Sequence, residues 1–217
     1  MLEEVLALVA PPACAVCGRG CELRRRVCER CDVRLRGLPP VWSAVPGLEA
    51  AWSAAPYEGV ARQLIGALKF GSRIGLAADA AALVAGRVPL ELLTGAIVPV
   101  PPAPMRRRRR GFDPAEALAA ALAKLAGLPL VPCLARSQSP RQVGRRRAER
   151  LADPPRVRAA GPVPTEALLI DDVTTTGATL AACAEALRRA GAAHITAVTF
   201  AASPRPGKGL GGTAAAA

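Results

Sequence analysis

Aromatic side chains make up only 3% of this 217-residue chain, and histidine occurs once, at His194. With so few rings, a nucleic-acid surface built on base stacking is disfavoured. The core must come from Leu, Val, Ile and the alanines that inflate the 51% hydrophobic fraction, arranged on helices and a sheet. No apolar run approaches the roughly 18–20 residues of a membrane span. The N-terminus, MLEEVLALVAPPAC, is acidic where a signal peptide would be basic. Both features point to a cytoplasmic protein without membrane insertion. There is no internal repeat. Acidic residues are also scarce, 17 against 29 basic ones, for a net charge of +12. Such a surplus attracts polyanions or multiply phosphorylated substrates and says nothing about fold.

What is present is concentrated in one stretch, LLIDDVTTTGAT, from Leu168 to Thr179. An apolar run leads into Asp171 and Asp172, then Val173, Thr174, Thr175, Thr176, Gly177, Ala178 and Thr179. A helical pattern follows directly, with Gly191 at its C-terminal cap. Strand, acidic turn, Thr/Gly loop and helix start together make a phosphate cradle. Free amides and the positive end of the helix dipole face the anion, and Gly177 lets the backbone approach it. No lysine lies between Asp171 and Thr179, which excludes a Walker loop, and a single glycine excludes the dinucleotide fingerprint. Paired carboxylates ahead of the cradle suit a sugar phosphate: they can accept from a vicinal diol and hold the water shell of Mg²⁺.

Five of the seven cysteines fall between Cys14 and Cys31. Cys14-x-x-Cys17 and Cys28-x-x-Cys31 have the spacing of a tetrahedral Cys₄ zinc site with a structural role, since four protein ligands leave no open position. Gly18 and Gly20 fit the tight turn of the first knuckle. Cys21 matches neither knuckle and stands as an alternative ligand. Ahead of the knuckles, Leu2, Val5, Leu6 and Val9 share one face of a short helix. Residues 39–56 read as a connector carrying a short strand near Ala50–Ala54, with Trp42 and Trp52 as packing residues. Helices are expected from Tyr57 to Phe70 and from Ile74 to Gly86. Lys69, at the end of the first, suits the helix dipole. Gly95 to Pro101 reads as a buried strand stopped by prolines. Five arginines, Arg106 to Arg110, then lie between that strand and a helix opened by Asp113 and Pro114 and closed by Gly127. They are either phosphate-facing or a solvated surface. Arg136 to Arg150 reads as a basic loop, either closing over an anionic substrate or lying free on the surface. His194 begins a last strand, through Phe200, with no partner or catalytic role expected, and residues 203–217 read as a disordered tail.

The Asp171–Thr179 stretch resembles the phosphoribosyl pyrophosphate (PRPP) motif of type I phosphoribosyltransferases. More narrowly, all but the tail resembles the competence-associated ComF family with its GntX-type homologues. In that family a Cys₄ zinc ribbon precedes a phosphoribosyltransferase domain. Leu68-Lys69-Phe70, Pro99-Val100-Pro101, Arg110-Gly111-Phe112, and Gln142 and Gly144 with Arg147 to Arg150 are similar to family segments. Asp113-Pro114 departs from the Asn-Gln usual after Arg-Gly-Phe. The resemblance implies an α/β fold with a parallel sheet flanked by helices, the N-terminal helix and ribbon occupying residues 1–38 and the transferase domain 57–202.

It further implies a PRPP–Mg²⁺ site. Asp171 and Asp172 would hold the ribose hydroxyls and metal waters as the catalytic pair, and Thr175 to Thr179 the 5′-phosphate. The pyrophosphate would lie against Pro99–Pro101, with Lys69, Arg106, Arg110, Arg136, Gln142 and Arg147 in the surrounding loops. Transfer of the phosphoribosyl group would release pyrophosphate; no segment identifies the acceptor. The alternative is a non-catalytic module that binds single-stranded DNA or a competence-machinery protein, its PRPP pocket serving as a sensor or a remnant. Such DNA binding would be steeply salt-dependent.

Overall fold

The computed structural model describes residues 12–22, 25–70, 75–102, 112–136 and 156–203. The expected helix at Leu2–Val9, the arginines 106–110, Gln142, Arg147 and the tail beyond Ser203 lie outside these residues.

Seven strands and five α-helices are interspersed along the described chain. In order they are α1 (Glu29–Arg36), β1 (Val41–Trp42), β2 (Ala50–Pro56), α2 (Gly59–Phe70), α3 (Gly75–Ala85), β3 (Ala96–Pro99) and α4 (Pro114–Ala126). There follow β4 (Leu134–Arg136), β5 (Val157–Ala159), β6 (Glu166–Thr174), α5 (Ala178–Arg189) and β7 (His194–Ala202). A five-stranded sheet runs in the order β1-β2-β7-β6-β3, all pairs parallel except the β1–β2 edge. β4 and β5 form a separate antiparallel pair.

The strands read as nearly continuous apolar runs because both sheet faces are covered. Along β6, Leu168 and Ile170 point into one core with α2, α3 and α4, and Ala167 and Leu169 point into the other with α5. That is the two-residue period of a pleated strand. In α4, Ala115, Leu118, Ala119, Leu122 and Ala123 are buried, the i, i+3, i+4, i+7, i+8 stripe of a helix lying on a sheet. Its ends follow the sequence rules. The Asp113 carboxylate accepts from the Ala115 N–H at 3.1 Å, Pro114 occupies the first turn, and Gly127 closes the helix at φ 67°.

Several expectations change. The segment read as a connector supplies β1 as well as the expected strand, β2, and β2 is an inner strand of the main sheet. Trp52 is buried there, but Trp42 on the edge strand is 47% exposed, so only one tryptophan is a core residue. The second cysteine knuckle opens helix α1, with Cys28 as its N-cap and Cys31 in its first turn, and the described core runs without a break from Cys14, Cys31 and Leu35 into α2 and α3. Arg87 fastens that join by donating to the carbonyls of Leu35 in the last turn of α1 and of Leu38 just beyond it. His194 does have a partner: its Nδ1 lies 3.1 Å from Glu49 Oε1.

Register sets the loops that matter. Pro99 pairs with Ile170, and the Val100 N–H donates to the Ile170 carbonyl at 2.9 Å, so the Pro99–Pro101 turn lies beside the strand end that carries Asp171. Gly95 permits this approach. Its φ is 67°, and a Cβ there would meet the Glu166 carbonyl oxygen at 2.5 Å. Gly95→Ala is expected to cost about 2 kcal/mol or more from left-handed strain and the backbone clash. Thermal unfolding should then fall by roughly 4–8 °C; an unchanged melting temperature would show that the β3–β6 approach tolerates a side chain.

Candidate functional site

A cavity of about 350 Å³ opens at the carboxyl ends of β3 and β6, where open α/β sheets place their ligands. Its walls bring together residues far apart in sequence: Lys69, Val100, Pro101, Arg136, Asp171, Asp172, Val173, Thr175 and Thr179. Pro99, Thr174, Thr176, Gly177 and Ala178 do not line it; they are the backbone frame on which the lining residues are carried.

Here the local structure differs from the expected acidic turn. β6 continues through both aspartates to Thr174, held on one side by β7, where Asp171 pairs with Thr199 and Thr174 with Ala202. The bend therefore comes after the acids, at exposed Thr175 and Thr176, and closes on Gly177 at φ 79°. Only glycine takes that left-handed conformation without strain. The Ala178 N–H is met by Thr176 Oγ1 at 3.3 Å. The remaining amides of the first turn of α5 have no acceptor within the helix, the arrangement that favours an anion.

The electrostatics of the floor are unequal. Asp172 is buried, and its Oδ2 lies 2.5 Å from Lys69 Nζ, with both side chains largely shielded. Apart from that ion pair, Asp172 Oδ2 makes no well-aligned hydrogen bond among the described residues. Asp171 Oδ1 accepts from the Asp172 N–H at 2.8 Å. Burial, and then the adjacent Asp172 carboxylate, push the Asp171 carboxyl well above the ordinary carboxylate range, while that N–H and Lys69 oppose the rise. One ammonium thus faces two acids.

Arg136, expected in the loops around the pyrophosphate, lies beside the Thr/Gly bend. Its Nη2 donates to Thr179 Oγ1 at 3.3 Å, and its buried Nε has no hydrogen-bond partner among the described residues. Sequence reading missed part of the wall: Tyr57, Pro102, Phe112, Asp113, Pro114 and Ala115 also line the cavity. Position could have signalled them, since each follows β2 or β3 or opens α4.

A second constellation lies near the N-terminus. The Sγ atoms of Cys14, Cys17, Cys28 and Cys31 all lie within 4.8 Å of one another, and Cys17 and Cys28 approach to 3.7 Å. A tetrahedral zinc with Zn–S bonds of about 2.3 Å needs sulfur separations of about 3.8 Å, so the four thiols suit a metal such as zinc. Gly18 turns the first knuckle at φ 74°. Cys28 is the N-cap of α1, and its N–H donates to Cys14 Sγ at 3.3 Å. Burial alone would raise the Cys14 thiol, but backbone N–H groups of Cys28, Cys17 and Val16, with the Cys28 thiol, bring it down to about 6. Burial and the neighbouring thiols push Cys31 up. Cys21 stands outside the group of four.

No helix among the described residues is long and apolar enough to cross a membrane. No protein-family model matches the chain, and comparison with curated proteins gives no match. What is established is an α/β protein with a mostly parallel central sheet flanked by helices and a Cys₄ cluster fit for metal.

Two outcomes follow. Because folding favours protonated Asp171, wild-type stability falls as pH rises from the ordinary carboxylate range through the raised value. Asp171→Asn keeps the bond from the Asp172 N–H, so it should melt above wild type at about pH 8, with the difference vanishing near about pH 4. A constant difference across that range would refute the assigned charge state. The Cys₄ cluster should load about one zinc per chain, and chelation should lower the melting temperature by roughly 10 °C or more. Zinc retained by Cys28→Ser/Cys31→Ser would rule the four thiols out.

Proposed function

We infer that this chain is a phosphoribosyltransferase-type protein that binds PRPP with Mg²⁺ in the β3–β6 cavity. The observation carrying the reading is that one cavity collects paired acids, Thr175 and Thr179 from either side of the bend before α5, and two cations, Lys69 and Arg136. Its volume lies within the roughly 300–1,000 Å³ typical of small-molecule sites. In this reading the resemblance to the ComF family extends to the site, with residues 57–202 as the transferase unit and the Cys₄ module as a structural zinc ribbon.

The acids accept hydrogen bonds from the ribose diol. The first-turn amides of α5, with Thr175 and Thr179, hold the 5′-phosphate, and Arg136 beside Thr179 supplies positive charge to the same group. The Pro99–Pro101 turn and Lys69 flank the place left for pyrophosphate. The hard carboxylate oxygens of Asp171 and Asp172, which already draw a cation to Asp172 Oδ2, fit hydrated Mg²⁺. Held by Asp171 and Asp172 together with PRPP, Mg²⁺ would supply positive charge to the pyrophosphate. An acceptor atom forms its bond to C1 as the C1–O bond breaks and pyrophosphate leaves with the electron pair. The chain's contribution is electrostatic and positional, without a covalent intermediate.

Calorimetry with PRPP and Mg²⁺ tests this. Wild type should bind, and Asp171→Ala/Asp172→Ala should bind about 100-fold more weakly or not at all, since both carboxyl contacts, one of them charge-assisted at Asp172, are removed. Equal binding by the two proteins would refute the site. Binding without pyrophosphate release for any acceptor would make the protein a PRPP sensor. Salt-sensitive single-stranded DNA binding that ignores the double substitution, in a chain that does not take PRPP, would favour the nucleic-acid alternative.

A further inference from the structure

The acid pair does not wait bare for its ligand. Lys69 sits on the last turn of α2, a helix whose Val60, Ala61, Leu64, Ile65 and Leu68 are locked in the core. The helix backbone is therefore a fixed post, and movement at the site falls to the lysine's own four-carbon stem. Its Nζ rests 2.5 Å from Asp172 Oδ2, the carboxylate oxygen with no well-aligned hydrogen bond among the described residues, and its side chain is only 17% exposed. An ammonium in that position occupies the place a cation or a hydroxyl donor would take on Asp172. The same lysine lines the cavity with Thr175, Thr179 and Arg136, so an anionic ligand entering there comes within its reach.

We propose that Lys69 is a resident counter-ion that excludes free divalent cations from the acid pair and gives up Asp172 only when a ligand brings an anionic group to receive it. Removing one partner of a shielded ion pair leaves the other charge uncompensated, so Lys69 cannot leave Asp172 without a substitute on both sides. A bare divalent ion replaces the ammonium at the carboxylate but strands the lysine. A metal–pyrophosphate ligand replaces it and also offers phosphate oxygens to Nζ. The exchange makes binding ordered, with metal arriving as its complex with the ligand and not before it. The exclusion of free cations stands on the observed ion pair alone; the transfer of Lys69 to pyrophosphate rests on the PRPP reading.

Manganese titration followed by electron paramagnetic resonance, without PRPP, separates these parts. Wild-type chain should bind Mn²⁺ weakly. Lys69→Met should bind it at least about tenfold more tightly, and Lys69→Met/Asp172→Asn should return to weak binding, because a released carboxylate is the ligand in question. In the presence of PRPP the order should reverse, Lys69→Met taking up Mn²⁺–PRPP less well than wild type. Equal Mn²⁺ affinity in wild type and Lys69→Met overturns the proposal. Tighter Mn²⁺ binding by Lys69→Met in a chain that never binds PRPP leaves the exclusion standing and removes the PRPP reading. Should Lys69→Met not fold, the acetylation rate of Lys69 in the wild-type chain gives the answer by mass spectrometry. Mn²⁺ without PRPP should leave that rate unchanged, because the ammonium keeps its place on Asp172; a rate that rises with Mn²⁺ alone overturns the proposal.

Discussion

The parallel pairing of β6 between β3 and β7 is the constraint on which everything else depends. It is dictated by short apolar runs buried on both faces, and it fixes three things together. The aspartates sit at the carboxyl end of an inner strand, the proline turn after β3 lies next to them, and the chain must bend immediately afterwards to enter α5. Gly177 makes the bend at positive φ, and the helix start then faces the same opening as the acids. The cavity follows from strand register and one glycine, with no need for a specialised loop.

That frame imposes an electrostatic cost, and the chain answers it with few residues. Two carboxylates at adjacent positions on a largely buried strand cannot both be comfortable as anions. One is matched by Lys69, and the other is held toward its protonated form. At the far side the balance inverts, with the helix-start amides and an arginine whose Nε has no hydrogen-bond partner among the described residues. A site that is acid-rich at one end and cation-rich at the other suits a ligand with hydroxyls and phosphates at opposite ends. The Cys₄ module supports the same frame from outside: its helix α1 packs on α2, the helix that positions Lys69.

How much of this was legible in the sequence depends on whether the deciding force was local. The boundaries of α4 could be read from Asp113, Pro114 and Gly127, because caps and left-handed glycines act within a few residues. The cysteine group could be read from spacing alone. The extension of β6 through Asp171 to Thr174 could not, since acids and threonines after an apolar run look like a turn; the ladder to Thr199, Ala201 and Ala202 overrides that preference. Helix α1 was hidden for a similar reason. Its sequence, ERCDVRLR, is too polar to show a stripe, and it is held by Cys28 at one end and Arg87 at the other. Tyr57, Phe112 and Asp113 became wall residues only through the crossover connections, and Arg136 reached Thr179 only through the β4–β5 pair packed near α5. Pairings between distant segments leave no local mark.

The central claim is that the end of β6 and the start of α5 grip opposite ends of one sugar phosphate. A crystal structure of the chain with PRPP and Mg²⁺ tests it most directly. The account requires ribose hydroxyls on Asp171 and Asp172 and the 5′-phosphate against the amides between Thr175 and Thr179. The ligand bound elsewhere, or seated here with its phosphate turned away from that bend, would contradict it.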